Sequence, residues 1–124
     1  MPSIAIIGAS ADRSKFGNKA VRAYLLRGYE VYPVHPKAAE IEGLMVYPAI
    51  ADLPAESLDR VSLYLPPERG MDVLEQIARK RVGEVWVNPG AGSPELMARG
   101  RELGLKMIAG CSIVDIGVDP HQLG

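Results

Sequence analysis

Five short apolar, β-rich runs alternate with stretches of helical periodicity along the 124 residues. No other feature narrows the fold as much. Ser3–Gly8, Glu30–Val34, Arg60–Leu65, Glu84–Val87 and Leu105–Ala109 read as strands, the first nearly all apolar, as a strand buried on both faces is. Between the first two, Ala20, Val21, Tyr24 and Leu25 fall at helical spacing and Gly28 supplies the stop. Pro66-Pro67 halts the third strand. Pro67 suits the first position of a helix whose Val73, Leu74, Ile77 and Ala78 make one apolar stripe. Ser93-Pro94-Glu95 gives a hydroxyl cap, a proline in the first turn and an acid at the positive end of the dipole. Strands that alternate with helices pair in parallel and need helices on both faces. The predicted fold is therefore α/β: a three-layer, Rossmann-like, doubly wound parallel five-stranded sheet in the order 3-2-1-4-5, one domain over residues 1–124. Val46-Tyr47-Pro48 and Ala49–Leu53 read as a short extended piece and a short helix. Residues 117–124 read as a loose tail.

In such a sheet a ligand lies beyond the carboxyl ends of the strands, where the strand order switches. The first of those ends is Gly8-Ala9-Ser10, followed by a helical pattern, so backbone N–H groups and a helix N-terminus converge there and favour a phosphate. The strict G-x-G-x-x-G spacing of a dinucleotide loop is missing. Ser10 stands where its second glycine would be, and Gly17 comes late. The second end is Val34-His35-Pro36-Lys37, with no Asp or Glu to accept from the ribose 2′-OH of NAD. Lys37 suits a phosphate on the ribose instead, and the 2′-phosphate of NADP and the 3′-phosphate of coenzyme A (CoA) both qualify. Its plain alternative is a solvated surface lysine. His35 reads as a loop residue lining an adenine pocket rather than as a general base. No paired carboxylates, and no Ser or Cys beside a second His, meet the minimum for catalysis at these turns.

The 14 basic and 15 acidic residues give a net charge of −1, which favours neither nucleic acid nor an anionic membrane. No apolar run reaches the roughly 18–20 residues of a membrane helix. Pro2-Ser3 leads straight into a strand-like run, so no signal peptide is expected. Cys111 is the only cysteine, which rules out an intrachain disulfide and fits a reducing cytoplasm. With His35 and His121 as the only histidines, a zinc site is not expected.

Gly8-Ala9-Ser10, then Lys15-Phe16-Gly17-Asn18, then Gly28 through Lys37, then Ile41-Glu42-Gly43 with Tyr47, then Asp52-Leu53-Pro54 form a joint pattern. From about Ser3 to Val114 the chain resembles the small stand-alone bacterial CoA-binding proteins. These are similar to the CoA-binding domain of the succinyl-CoA synthetase α subunit and of ADP-forming acyl-CoA synthetases. The resemblance implies that Ser10, Lys15, Phe16 and Gly17 hold the CoA phosphates from the first loop, and Gly8 and Ala9, at the turn that opens it, are candidate cofactor-binding residues beside them. It implies that Val34, His35, Pro36 and Lys37 line the adenine–ribose end. It gives Leu65, Pro66 and Pro67 the pocket wall, and Asn88, Pro89 and Gly90 the pantetheine. Many such proteins carry Asn where His35 stands. The ligases have a further domain with a phosphorylated histidine, which the chain ends too soon to hold, and His121 in the tail is not given that role. The expected function is binding of CoA or an acyl-CoA in the cytoplasm without autonomous catalysis, with no metal. The alternatives are an NADP-binding oxidoreductase or redox sensor, and a detached interaction module of an acyl-CoA ligase. The expected partner is the small CoA ligand, with room for a homo-oligomer or a ligase subunit. Cys111 follows the fifth strand and reads as a small buried residue; the sharper alternative is that a bound CoA thiol reaches it.

Overall fold

The first strand sets the layers. In β1 (Ser3–Ile7) side chains alternate, so Ile4 and Ile6 join one apolar cluster and Ala5 and Ile7 the other, all four buried. The computed structural model describes residues 1–124. After β1 come α1 (Phe16–Leu26), β2 (Glu30–Val34), the small antiparallel hairpin of β3 (Glu40–Ile41) and β4 (Leu44–Met45), and a 3₁₀ turn at Ile50–Asp52. Then follow β5 (Ser57–Leu63), α2 (Pro67–Ala78), β6 (Arg81–Val87), α3 (Pro94–Glu102), β7 (Met107–Ala109), α4 (Ser112–Asp115) and a second 3₁₀ turn at Pro120–Gln122. One face of the sheet meets α1 and α4 through Val21, Tyr24 and Ile113. The other meets α2 and α3 through Leu74, Ile77 and Leu96. This is the expected three-layer, doubly wound arrangement.

All five strands of the main sheet run parallel, in the order β2-β1-β5-β6-β7. Numbered by the five expected strands, that is 2-1-3-4-5, which corrects the expected 3-2-1-4-5. The third predicted strand crosses β1 and pairs with it, Ile4 to Ile7 against Arg60 to Leu63. The place outside β2 is taken by a single parallel bridge, Val34 to Tyr47, closed by His35 N–H to Tyr47 O (3.0 Å) and Tyr47 N–H to Pro33 O (3.0 Å). Pro48 follows and has no N–H with which to extend the ladder. Counting that bridge as a vestigial third strand restores the usual doubly wound sequence, with β5 as its fourth member.

The helix ends follow the local chemistry. Pro67 opens α2, and the Ser93 side chain accepts from the Leu96 N–H at the start of α3. Residues 117–124 are not a loose tail. Val118 and Pro120 are buried, the 3₁₀ turn packs on α1, and the Asp119 side chain accepts from the His121 N–H. Arg27 of the α1 end donates to Ile116 O (2.9 Å) and Gly117 O (3.0 Å), and Arg22 reaches Gly124 O (3.4 Å). Apolar burial of Val118 against α1 is a tertiary fact that a run of Asp, Pro, His and Gln conceals.

Candidate functional site

β1 ends at Gly8, whose φ of 89° lies in the left-handed region. The N–H groups of Gly8 and Ala9 both donate to Val34 O (3.2 and 3.3 Å), tying this turn to the end of β2. Gly17, in the first turn of α1, packs directly on it: a Cβ there would lie 2.2 Å from Gly8 O. The loop between them is held by its own polar side chains. Ser10 Oγ accepts from the Asp12 N–H (3.0 Å), and Asp12 Oδ1 accepts from the Ser14 N–H (3.0 Å) and hydroxyl (2.7 Å). Those bonds from Ser14 keep the Asp12 carboxyl below its usual value of 3.8. Asn18 is buried and donates to Ser10 O (2.9 Å) and Glu42 Oε2 (3.1 Å) while accepting from Arg22 Nε (2.7 Å).

The loop leaves its remaining donors free. The N–H groups of Ser10, Ala11, Arg13, Phe16 and Gly17 donate to no protein acceptor, and no side chain caps α1. Free N–H groups at a helix start, with the dipole behind them, make a concavity for an anion. Lys15 stands at the N-cap, exposed and outside every ion pair of the fold.

At the end of β2, His35 Nδ1 accepts from the Lys37 and Ala38 N–H groups, both at 3.0 Å. The ring does for this turn what the side-chain oxygen of Asn or Asp does elsewhere. Lys37 projects from the turn, exposed and without a carboxylate partner. No serine, cysteine or carboxylate side chain is hydrogen-bonded to His35, and no group of three His, Cys, Asp or Glu could hold a metal ion.

A cleft of about 620 Å³ opens between these two strand ends. Ile7, Gly8, Ala9, Ser10 and Lys15 form one wall, and Val34, His35, Pro36 and Lys37 another. Tyr64, Leu65 and Pro66, just past β5, form the floor toward the middle of the sheet. A second hollow of about 350 Å³ continues over Gly8 to Phe16, Gly17, Pro89, Gly90 and Ala91. It shares Gly8, Lys15, Tyr64, Leu65 and Pro66 with the first.

The expected residues thus come together along one edge, except for Pro67 and Asn88. Pro67 is spent opening α2. Asn88 is buried, its Nδ2 donating to Ser62 Oγ and Leu63 O (both 2.8 Å) and its Oδ1 accepting from the Ser112 N–H (2.9 Å). It ties β5, β6 and α4 together and does not face the cleft, a correction to its expected place against the pantetheine. Cys111 is half-buried at the N-cap of α4 and lines neither hollow.

Sequence reasoning missed three parts of the wall. Tyr64 lines both hollows, and burial pushes its phenol up to about 12, so it stays a neutral hydroxyl beside Ser112 Oγ (3.4 Å). Pro48, Ala49 and Ile50 close the cleft beyond β2. Arg69, Asp72, Val73 and Gln76 line it from α2, at i, i+3, i+4 and i+7 on one helix face. That spacing was visible in a helix starting at a strand's carboxyl end. Tyr64 was hidden inside the third apolar run. The arrangement as a whole can bind a multiply anionic ligand with a flat apolar portion: unpaired N–H groups, three cations (Lys15, Lys37, Arg69) and apolar walls meet in one groove.

A family model described as a CoA binding domain matches residues 2–117. The chain is 31% identical over 112 residues to the α subunit of acetate–CoA ligase (ADP-forming) I of Pyrococcus furiosus, covering 86% of this chain and 24% of that one. It is 37% identical over 89 residues to trans-feruloyl-CoA synthase FCS1 from a prokaryote, covering 68% of this chain and 12% of that one. The chain thus spans less than a quarter of the length of these curated relatives. Among solved structures, a conserved hypothetical protein of Pyrococcus furiosus superposes with a TM-score of 0.84 at 32% identity, covering 93% of this chain and 99% of that one.

Proposed function

The chain belongs to the CoA binding domain family, and from that premise we propose that it binds CoA or an acyl-CoA along the carboxyl edge of the sheet and carries out no reaction of its own. The observation that supports this most is the joining of a loop with five unpaired N–H groups to a β2 end that offers Lys37 and no acid. The diphosphate lies on the loop from Gly8 to Gly17 with Lys15. Lys37 meets the 3′-phosphate, and the pantetheine arm runs over Gly8 toward Phe16, Pro89 and Gly90. NADP is the weaker fit, because Ser10 and the late Gly17 break the spacing its loop uses.

A second reading keeps the same ligand and adds a partner. The match to a ligase α subunit over most of this chain favours a module that hands CoA to a separate ligase subunit. We place the protein in the cytoplasm, where CoA is found and a lone cysteine stays reduced; no helix is long and apolar enough to cross a membrane.

Isothermal calorimetry and thermal shift with CoA, NADP and NAD test the reading. CoA is expected to bind, and at about 100 times its Kd to add roughly 2.7 kcal/mol of stability. Tighter binding of NAD than of CoA sinks it. Incubation with acetyl-CoA or succinyl-CoA tests the second half: turnover above background that one cleft mutation abolishes would make the protein an enzyme.

A further inference from the structure

Gln76 is the one side chain whose buried polar atom has no partner: its Oε1 is shielded from water and accepts no hydrogen bond. Native folds seldom tolerate such an atom without a reason. Gln76 also lies on the cleft wall, at the far end of the α2 stripe that begins with Arg69. Ala49, Ile50 and Val73 frame that end of the cleft, and the 3₁₀ turn that carries Ile50 packs on α2.

We propose that the Gln76 amide reads the base of the bound nucleotide and selects a 6-aminopurine over a 6-oxopurine. The inference rests on the CoA reading above, which puts phosphates at the first loop and at Lys37. The base is then left to the apolar end, a flat ring between Ala49, Ile50, Leu65 and Val73 with the amide at its edge. On the N6/N7 edge of adenine, a glutamine accepts from the exocyclic amine through its oxygen and donates to N7 through its nitrogen. Guanine shows only acceptors, O6 and N7, on the same edge, and would leave the Gln76 oxygen unpaired. The last torsion of a glutamine is broad, and rotation of the side chain brings the Gln76 oxygen out of its shielded position to the edge of the base. The neighbouring Asp72 is exposed and has no orphaned atom to satisfy.

Calorimetry with adenosine 3′,5′-bisphosphate and guanosine 3′,5′-bisphosphate tests this on the full chain. The wild type is expected to bind the adenosine compound about tenfold more tightly or better, as one hydrogen bond made against one acceptor left unpaired implies. Gln76→Leu, or Gln76→Met if the first variant fails to fold, should bring the two within about twofold, chiefly by weakening the adenosine compound. Removing an orphaned oxygen should also leave the melting temperature of the free variant at or above that of the wild type. Equal binding of both nucleotides by the wild type overturns the inference and leaves the CoA reading intact. So does a preference that survives in Gln76→Leu but disappears in Asp72→Asn. Failure of CoA and both nucleotides to bind the wild type removes the CoA reading, and this inference with it.

Discussion

Gly17 and Gly8 touch backbone to backbone, and the first loop depends on that contact. A Cβ on Gly17 would stand 2.2 Å from a carbonyl oxygen that no side chain can move aside. Gly17→Ala should therefore lose about 1–3 kcal/mol of stability in a thermal or urea melt, and CoA binding with it. Lys37→Ala should weaken CoA by roughly ten- to hundredfold, since a charge-assisted contact contributes about 1.5–3 kcal/mol. Dephospho-CoA should bind the variant and the wild type alike; an equal loss for both ligands would move Lys37 off the 3′-phosphate. Asp12 titrates below 3.8 because Ser14 donates twice to its carboxylate. A depressed folded value stabilises the loop above the unfolded pKa, and that contribution is lost as pH falls through the folded one. A carbon NMR titration should put the Asp12 inflection below 3.8. At this scale the sequence carried Gly8, which needs a left-handed backbone angle, Gly17, which lets two backbones meet, and Lys15 and the His35–Lys37 turn, which place charge at strand ends. Asn88 was misleading for a physical reason: a polar residue at a strand end looks like a ligand contact until Ser62, Leu63 and Ser112 are seen to saturate its amide. Gln76 was invisible because an orphaned atom is defined only by neighbours distant in sequence.

The elements themselves were legible, their neighbours less so. Proline at the head of α2 and serine before α3 are local signals, and the helices start where those signals lie. Ser93→Ala should cost about 1 kcal/mol in a denaturant melt, the usual worth of a hydroxyl cap; an unchanged midpoint would mean that Pro94 and Glu95 suffice. Strand order, by contrast, is decided by where a connection lands. The segment from His35 to Glu56 contains the β3–β4 hairpin, one bridge and a 3₁₀ turn, and nothing in its composition says that only Tyr47 will pair with β2. The strand ends moved for the same reason. β5 covers Ser57–Leu63 because its register against β6 begins at Ser57 opposite Arg81, whereas the apolar run in the sequence continues to Leu65.

At the scale of the whole molecule, the sheet separates two apolar clusters, and the cleft sits where both meet the carboxyl edge. Residues 118–124 serve only one of them. Deleting them should expose α1 where Val118 and Pro120 cover it, lower stability by about 1.5–3 kcal/mol for the lost Val118 burial, and weaken CoA through the loop that α1 anchors. A melting temperature unchanged by the deletion would show that the segment is ornamental to the fold. The clamp of Arg27 onto Ile116, 89 positions further along the chain, also bears on the order of assembly during synthesis. The first loop emerges from the ribosome early, with α1 close behind it. Yet α1 finds its last packing partners only when α4 and the turn after it have been made. A nascent chain halted before Ile113 would hold every residue of the first loop and still lack the support that fixes it, so the part of the candidate site translated first is the last to be completed.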